Sequence, residues 1–490
     1  MSSMPAPRPL SVAELDLDGP DTPDATDRTD GTDATDRTDG TARPGWPVLG
    51  FRPAPGGPPV VPGDVFALVR LRGRPAATVV GTVADGEDPA TVLADLARRR
   101  LAEAGRRPGT DAERLAAART HAPGTPPAAP PARVSVVVAT RERPGPLARA
   151  LDSLLAQDHP DFELIVVDNA PRTAATHELV TRTYAEHADR IRYVREDTPG
   201  LATAHNTGLA AAEGAVVAFT DDDVIADPRW LSALTAPFAA DPGLGCVTGL
   251  ILPARLGTPA QVLLESHGGF AKGFAPRLYD PAHPPADEPL FPFTAGSFGS
   301  GANMAFRADA LRRAGGFDPA TGTGTAARGG DDLYAFVAVL AAGFRLRYTS
   351  EALVWHHHRD TWQDLRNQAY GYGAGLTAYL TATLVRRPRL LPALLARLPR
   401  GLAHARSMTA RRGETPETGV PGEHGTQQHP WPASLSRLER RGMLYGPIGY
   451  AKARARSRAR ARTRVPGGVP GQGGGQGGGQ ARRGSAAVTR

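Results

Sequence analysis

Cysteine, lysine and long apolar runs are all scarce in this sequence. Cys246 is the only cysteine among 490 residues, which excludes an intrachain disulfide and a metal site built from several cysteines. No stretch reaches the ~18 consecutive apolar residues of a membrane-spanning helix. The first ten residues lack a basic segment followed by an apolar one, so they indicate no secretory signal. We therefore expect a cytoplasmic protein, either free in solution or peripheral on the inner face of the membrane.

Arginine supplies almost all of the positive charge. Lys272 and Lys452 are the two lysines among 57 basic residues, and the formal net charge is +7. A GC-rich genome produces a bias toward Arg, Ala, Gly and Pro by mutation pressure alone, so basicity does not by itself indicate a nucleic-acid partner. We expect none, although the alternating arginine run at residues 454–464 leaves phosphate binding open as an alternative.

The two ends have the composition of disordered segments. The nonapeptide DATDRTDGT occurs at residues 24–32 and again at 33–41, and it offers nothing to a hydrophobic core. The C-terminal end is rich in Gly, Pro and Arg and includes GQGGGQGGGQ. We predict a disordered acidic tail over residues 1–44 and a disordered Arg/Gly-rich tail over residues 413–490.

A small module follows the acidic tail. Residues 65–71 and 76–83 read VFALVRL and AATVVGTV around a turn at RGRP, which predicts a β-hairpin. Residues 90–104 carry apolar side chains at helical spacing. The sequence thus predicts an N-terminal α+β accessory module, ββα in order, over residues 45–106. Residues 107–131, dominated by Pro, Ala, Gly and Thr, are predicted to be a linker.

Strands and helices alternate over residues 132–360. The predicted strands are VSVVV at 134–138, FELIVV at 162–167, residues 191–194 and AVVAF at 215–219. Such alternation favours an α/β fold with a mostly parallel, Rossmann-like sheet and helices on both faces. Ligands bind beyond the carboxyl ends of the strands in such sheets, so residues that follow each strand are candidates for chemistry.

An aspartate triplet follows the fourth of these strands. Three adjacent carboxylates repel one another unless a cation neutralises them. In extended backbone Asp221 and Asp223 point to the same side, where their oxygens can share one divalent ion, Mg²⁺ or Mn²⁺. The alternative is an acidic turn that caps the helix starting near Pro228.

Several segments taken together resemble family 2 glycosyltransferases, which have the GT-A fold. VSVVVATRERPGPLARALDSLLAQ, FELIVVDNA and PGLATAHNTGLAAAEGAVVAFTDDD resemble the donor-binding half of that family. GSGANMAFRADALRRAGGFD and GGDDLYAFVAVLAAGFRLRYTSEALVWHHHR resemble its acceptor-binding half. The similarity covers roughly residues 133–359, in the order and at the spacing of the family.

The resemblance implies a nucleotide-diphosphate sugar donor and the residues that bind it. Asp168 is implied to accept hydrogen bonds from the base or ribose, and Asp223 to be the most direct ligand of an ion that bridges the diphosphate. His205 stands where the family often has arginine, a departure from its pattern. The other predicted donor-side residues are Thr140, Arg141, Arg143, Asp221, Asp222, Gly301, Asn303, Asp331 and Arg359. Ordinary loop residues at Thr140 and Arg141, and an ordinary turn around Gly301, are the alternatives.

An acidic pair begins the helix that follows Gly330. Acidic residues at a helix start are favoured by the helix dipole, so capping is one interpretation. The resemblance implies another, in which Asp332 is the base that deprotonates the acceptor hydroxyl and Asp331 replaces a more usual Glu. In-line attack with Asp332 opposite the leaving diphosphate would invert the anomeric carbon.

Three histidines follow the apolar residues at 352–355. Strand alternation places His356 and His358 on one side, where they can complete a metal shell with the aspartates, and Arg359 can grip phosphate oxygens. A surface histidine cluster is the alternative.

A helical extension is predicted over residues 361–412. It begins with an apolar stripe at helical spacing, formed by Trp362, Leu365, Ala369, Tyr372 and Leu376. Residues 386–400 then mix leucine with arginine, a composition that can lie on an anionic membrane surface. Three prolines interrupt this segment, so a short buried or disordered piece is equally compatible.

Taken together, these features favour an inverting, divalent-metal-dependent glycosyltransferase acting on a hydroxyl acceptor. Cell-envelope polysaccharide and natural-product glycosylation are both compatible with the sequence. A sugar-phosphate nucleotidyltransferase is the main alternative, but it needs a Gly-rich loop after the first strand, and residues 139–144 contain no glycine. Nucleic-acid binding through the C-terminal arginines would leave the middle of the chain unexplained.

Overall fold

The computed structural model describes residues 7–18, 46–106, 132–267, 269–397, 399 and 431–463. Two β-sheets are present in this part of the chain, one with four strands and one with nine. The acidic nonapeptide repeat, the predicted linker and the Gly/Gln-rich segment near the C-terminus lie outside the described residues.

The N-terminal sheet has four strands and is covered by one helix. Its strands are β1 (Ser11–Leu17), β2 (Val48–Pro53), β3 (Gly63–Leu71) and β4 (Arg74–Val83), in the order β2-β1-β3-β4, and the helix is α1 (Pro89–Arg106). β3 and β4 form the predicted hairpin. Both residues of its turn, Arg72 and Gly73, have positive φ, as the favoured two-residue hairpin turn requires.

Strand β1 contradicts the prediction that residues 1–44 are disordered throughout. It lies between two partners, antiparallel to β2 and parallel to β3. Four of its apolar side chains are buried: Val12, Ala13, Leu15 and Leu17. The prediction failed because the acidic repeat dominated the composition of the tail and hid one short apolar segment at its beginning.

A buried arginine ties the N-terminal sheet to the larger one. Arg70 Nη2 lies 2.9 Å from Glu14 Oε1 and 2.6 Å from Asp227 Oδ2, and all three side chains are buried. Apolar residues from both sheets share one core around this contact, among them Val12, Phe66, Leu68, Leu250, Leu252 and Trp355. The accessory module is therefore packed against the α/β region and is ion-paired to it.

The larger sheet forms the α/β region. Its strands are β5 (Val134–Thr140), β6 (Phe162–Asn169), β7 (Ile191–Glu196), β8 (Val216–Asp221), β9 (Val224–Ala226), β10 (Leu244–Pro253), β11 (Arg277–Tyr279), β12 (Asn303–Arg307) and β13 (Arg345–His356). Their order is β11-β13-β10-β12-β8-β5-β6-β7, and β9 pairs with β13. Strands β9, β11 and β12 run opposite to the other six. This arrangement confirms the predicted mostly parallel sheet.

The parallel strands bring their carboxyl ends to one edge. Thr140 of β5 lies opposite Asp168 of β6, and Ala139 of β5 lies opposite Asp221 of β8. These strands are nearly continuous runs of buried residues, which is typical of a parallel sheet covered on both faces. The polar residues that end three strands therefore meet at one place.

Helices cover both faces of this sheet. They are α2 (Pro144–Leu155), α3 (Ala175–Glu178), α4 (Leu201–Ala211), α5 (Trp230–Ala240), α6 (Pro259–Ser266), α7 (Ala308–Ala314) and α8 (Asp331–Ala341). Val136 packs with Leu147 and Leu151 in one core, whereas its neighbour Val137 packs with Leu209 and Phe336 in another. Successive residues of one strand thus face two separate cores, as the predicted three-layer arrangement requires.

Two long helices close the described part of the chain, α9 (Trp362–Arg386) and α10 (Ala433–Thr463). Helix α9 confirms a helical extension, and α10 contradicts the prediction that residues 413–490 are disordered throughout. A Cβ on Gly442 would lie 2.2 Å from the Tyr370 carbonyl oxygen, and one on Gly446 would lie 2.0 Å from Thr377 Oγ1. The glycines that suggested disorder instead allow two helices to approach closely.

The segment between these helices is described in part. A short 3-10 helix covers Pro388–Leu390 and residues 391–397 are helical. Within the described ranges, no helix is both long and apolar enough to cross a membrane.

Candidate active site

Side chains from two neighbouring strand ends meet at the aspartate triplet. Thr140, the last residue of β5, donates its hydroxyl to Asp222 Oδ2 at 2.7 Å. Arg143, in the turn before α2, donates to Asp222 Oδ1 through Nη1 and to Asp223 Oδ2 through Nη2, the latter at 3.0 Å. The loop after the first strand of the large sheet is thus fixed to the carboxylates that follow β8.

Asp221, Asp223 and His356 form a cluster of three candidate metal ligands. One oxygen of each carboxylate and one imidazole nitrogen all lie within 4.8 Å of one another. Asp221 ends β8, and His356 reaches the same place because β13 pairs with β9, where His356 lies opposite Val224. Two carboxylates and one imidazole can hold a divalent cation such as Mn²⁺.

The three carboxylates of the aspartate triplet differ in how well neighbouring positive charges stabilise their ionised forms. Burial and the repulsion of Asp223 and Asp222 raise the pKa of Asp221 well above its usual range. Burial raises the pKa of Asp222 to about 6, although Arg143 and Thr140 oppose the shift. The pKa of Asp223 is lowered in spite of burial, because His356 and Arg143 stabilise its charge. A divalent cation would relieve the repulsion that disfavours ionised Asp221, so this donor set fits a cation.

His356 and His358 have different surroundings. Burial lowers the pKa of His356 to about 4, so its ring is neutral near pH 7 and can offer a lone pair to a cation. His358 Nε2 instead lies 3.1 Å from Glu265 Oε2, and its Nδ1 lies 3.0 Å from His356 Nδ1. The prediction that His358 is a metal ligand is therefore wrong. The two rings do lie side by side, as strand alternation predicted, but both nitrogens of His358 already have partners.

Asp332 occupies the first turn of α8. Its Oδ2 accepts a hydrogen bond from the Gly301 N–H at 2.9 Å, and its Oδ1 accepts one from the Leu333 N–H at 2.8 Å. Gly330 holds the N-cap position, so Asp332 does not cap the helix in the usual way. Burial and the neighbouring Asp331 raise the pKa of Asp332 to about 6. A carboxyl group with this pKa can exchange a proton near neutral pH, as a general base must.

Comparison with known proteins identifies the region that carries this geometry. Residues 135–314 match the profile described as glycosyl transferase family 2, and residues 286–435 match that described as glycosyl transferase family group 2. The chain thus contains a region similar to glycosyl transferase family 2, over residues 135–314. This region lies within the α/β fold, whose mostly parallel sheet agrees with the fold that the resemblance implied.

Several glycosyltransferases are similar to this chain over part of their length. A pre-mycofactocin glycosyltransferase of Mycobacterium tuberculosis is 30% identical over 257 residues, which are 51% of this chain and 48% of that protein. An uncharacterized glycosyltransferase of Nostoc sp. is 32% identical over 113 residues, 23% of this chain and 35% of that protein. A mannosyltransferase from Pyrobaculum calidifontis, solved with GDP-Man and Mn²⁺, has 20% identity and a TM-score of 0.40, covering 75% of this chain and 94% of its own. The chain thus spans about half or less of the two sequence relatives.

Asp331 lies beside a buried histidine. Its Oδ2 is 3.2 Å from His205 Nδ1, and both side chains are almost completely buried. The His205 ring packs against Phe219 and Phe317, with ring centroids 5.1 and 4.9 Å apart. The residue that replaces the family's arginine therefore belongs to an aromatic core, and the donor contact of Asp331 stays a prediction.

Asn303 contradicts its predicted place in the donor site. It is 0% exposed. Its Oδ1 accepts from Trp230 Nε1 at 2.9 Å, while its Nδ2 donates to the carbonyl oxygens of Leu250 and Ala352 at 2.9 and 2.8 Å. The amide therefore joins β12 to its neighbours, because a buried polar group in a sheet core must find partners. Gly301 does reach the candidate site, where its N–H binds the proposed base.

The remaining predicted donor residues differ in exposure. Arg141 and Arg359 are exposed, and the charge of Arg359 reaches both Asp222 and Asp223. Asp168 is fully buried and its Oδ2 accepts from the Tyr193 hydroxyl at 2.9 Å, while its Oδ1 has no hydrogen-bond partner among the described residues. Burial raises the pKa of Asp168 and thus disfavours its ionised form, although the hydrogen bond from Tyr193 opposes this shift.

Two residues near the site were missed by sequence reasoning. Glu265, on α6, binds His358, and no local pattern around it points to this contact. The pKa of Lys272 is lowered by burial of its ammonium group, while the charges of Asp332 and Glu265 oppose that shift. Lys272 is one of only two lysines in the whole sequence, and this rarity was the available signal.

Proposed function

We propose that this chain is an inverting glycosyltransferase that uses Mg²⁺ or Mn²⁺ and a nucleotide-diphosphate sugar. The observation that carries the proposal is one juxtaposition. Asp221, Asp223 and His356 gather at the carboxyl end of β8, and Asp332, with its raised pKa, begins a helix within electrostatic range of Asp221. The raised pKa values of Asp221 and Asp332 support a functional role for this arrangement, because perturbed pKa values cluster at functional sites.

On the donor side, Asp221, Asp223 and His356 are the residues that would hold the cation. When bound, such a cation supplies Lewis-acid stabilisation of the charge on a leaving diphosphate. Arg143 already neutralises Asp222 and one oxygen of Asp223. Among the described residues, no carboxylate forms an ion pair with the exposed guanidinium of Arg359, which can therefore bind phosphate oxygens.

On the acceptor side, Asp332 takes the proton of the attacking hydroxyl. The acceptor oxygen then forms the new bond to the anomeric carbon, and the bond from that carbon to the diphosphate oxygen breaks with its electron pair. The Gly301 and Leu333 N–H groups orient the carboxylate during this step. Attack from the side opposite the leaving group inverts the anomeric configuration.

The acceptor is a hydroxyl compound of cell-envelope polysaccharide or natural-product glycosylation. The similarity to a pre-mycofactocin glycosyltransferase favours the second setting. Residues 386–400 are proposed to contact an anionic membrane, because Leu391 and Leu395 are 42% and 55% exposed. Arg386 and Arg387 contribute less to this membrane contact than the sequence suggested, because Arg386 binds Asp318 and Arg387 binds the Ala314 carbonyl oxygen.

A panel of nucleotide sugars, screened with and without Mn²⁺, tests the function. The cognate donor should raise the melting temperature only when the cation is present, since a ligand at 100 times its Kd adds about 2.7 kcal/mol. Mass spectrometry of mixtures with candidate acceptors should then detect glycosylated product. Formation of a nucleotide sugar from a sugar phosphate and a nucleoside triphosphate would favour the nucleotidyltransferase instead.

A further inference from the structure

A chain of polar contacts runs from the candidate metal ligands into the protein interior. Asp223 Oδ1 lies 3.4 Å from His356 Nε2, His356 Nδ1 lies 3.0 Å from His358 Nδ1, and His358 Nε2 lies 3.1 Å from Glu265 Oε2. The side chains of His358 and Glu265 are each 1% exposed. The inner half of this chain is therefore shielded from water.

The contacts fix where the ring protons sit. An ionised carboxylate can only accept, so the His358 nitrogen that faces Glu265 carries a proton. In a neutral imidazole the other nitrogen, Nδ1, then accepts, and its partner at 3.0 Å must be the N–H of His356 Nδ1. His356 Nε2 is left with its lone pair, directed toward Asp223 Oδ1. Two acceptors that face each other in this way attract a cation between them.

The surroundings hold this arrangement in place. The Phe270 ring packs against both imidazoles, with centroids 5.2 Å from His356 and 5.5 Å from His358. Gln261, one turn before Glu265 on α6, donates its Nε2 to the His358 carbonyl oxygen at 3.0 Å. The second oxygen of Glu265, Oε1, has no hydrogen-bond partner in the described part of the chain. The hydrogen bonding of this carboxylate is thus directed at His358.

We propose that Glu265, acting through His358, holds His356 in the tautomer that presents the Nε2 lone pair to the cation. Glu265 and His358 are positioning residues, and His356 is the ligand. The arrangement extends by one imidazole the common pattern in which a carboxylate orients a metal-binding histidine. The inference deepens the proposed function, on which its metal-binding consequence rests.

The first test reads the tautomer directly in the metal-free, full-length protein. Long-range ¹H–¹⁵N correlation of ¹⁵N-histidine-labelled protein distinguishes Nδ1–H from Nε2–H rings. The His356 signals are identified by their loss in His356→Gln. We expect the proton of His356 on Nδ1 in the wild type, with a shift toward Nε2–H in Glu265→Met, which keeps the length of the side chain and removes the acceptor. A wild-type His356 that carries its proton on Nε2 overturns the proposal, and this result needs no folded variant.

The second test measures the affinity for Mn²⁺ alone, by electron paramagnetic resonance of the free ion. Glu265→Met should bind Mn²⁺ about 10- to 100-fold more weakly than the wild type, the usual effect of removing such a partner. His357→Gln is the matched control, since the His357 ring lies outside the chain of contacts, and it should change the affinity by less than about twofold. Unchanged affinity and tautomer in a folded Glu265→Met overturn the proposal. If wild-type protein does not bind Mn²⁺, the proposed metal-dependent function fails, and the tautomer measurement still decides the role of Glu265.

Discussion

Replacing Asp332 by Asn removes a negative charge from the proposed base and leaves its volume almost unchanged. An amide cannot accept the acceptor's proton, so turnover should fall about 10²- to 10⁴-fold, the usual contribution of a general base. Donor binding and its dependence on Mn²⁺ should persist, because the cation ligands lie on β8, β13 and the loop after β8. In the wild type, the rate should fall as the pH drops through about 6, where Asp332 gains its proton.

The same substitution makes a prediction about stability with a definite sign. The pKa of Asp332 is raised from 3.8 to about 6, so the folded state favours the protonated form and loses stability as the pH rises through 6. At 1.36 kcal/mol per pKa unit, the ionised group costs at most about 3 kcal/mol at pH 7. Asn avoids this cost but leaves one of the two N–H donors without an acceptor, which costs about 1–3 kcal/mol. The free energy of unfolding at pH 7 should therefore stay unchanged or rise.

Three measurements on Asp332→Asn separate the base from a residue that only stabilises the helix. They are a donor titration with Mn²⁺, a thermal melt at pH 7 and a turnover assay with the cognate acceptor. A base predicts normal donor affinity, an unchanged or higher melting temperature and almost no product. A stabilising residue predicts a lower melting temperature with near-normal turnover, and that outcome would refute the assignment.

Three further substitutions test the cation site, strand β1 and helix α10, which the sequence did not predict. Two of them are compared with a control variant. Asp223→Asn should abolish the Mn²⁺-dependent thermal stabilisation by a nucleoside diphosphate while the protein stays folded; retained stabilisation contradicts the cation site. Arg70→Met removes the shared partner of two buried carboxylates and should lower the free energy of unfolding by about 3–5 kcal/mol in denaturant titrations. Arg72→Met, in an exposed ion pair, should cost at most about 1 kcal/mol, and equal losses would argue against the buried contact. Gly446→Ala should lower the melting temperature by at least about 2 °C, because the added Cβ would lie 2.0 Å from the Thr377 hydroxyl oxygen. The control Arg456→Ala, at an exposed position of the same helix, should leave the melting temperature unchanged. Equal melting temperatures of the two variants would contradict the packing of α10.

The strands and the carboxylates at their ends could be predicted because both follow from local sequence. A buried parallel strand is a short apolar run, and the residues after it face the ligand edge whatever lies elsewhere in the chain. The triplet beginning at Asp221 was found in this way, whereas the role of the pair ending at Asp332 was inferred from the resemblance to the family. The structure places the first pair of predicted ligands, Asp221 and Asp223, in the cluster with His356.

The directions of individual side chains could not be predicted when they depend on distant partners. His358 turns to Glu265, which is 93 residues away, and Asn303 binds a tryptophan 73 residues away. No spacing within either segment encodes those contacts. The strand β1 and helix α10 were missed for a related reason, since each is stabilised by elements that join it from elsewhere in the fold.

The core shared by the two sheets has a consequence for synthesis of the chain. Phe66 and Leu68 belong to strand β3, whose partners β1 and β4 both lie within the first 83 residues. Trp355, which covers the same face, is made 287 residues after Leu68. At roughly 5–20 residues per second, the ribosome needs about 15–60 s for that stretch. During this interval Phe66 and Leu68 lack the core partners that β13 supplies, because that strand has not yet been completed.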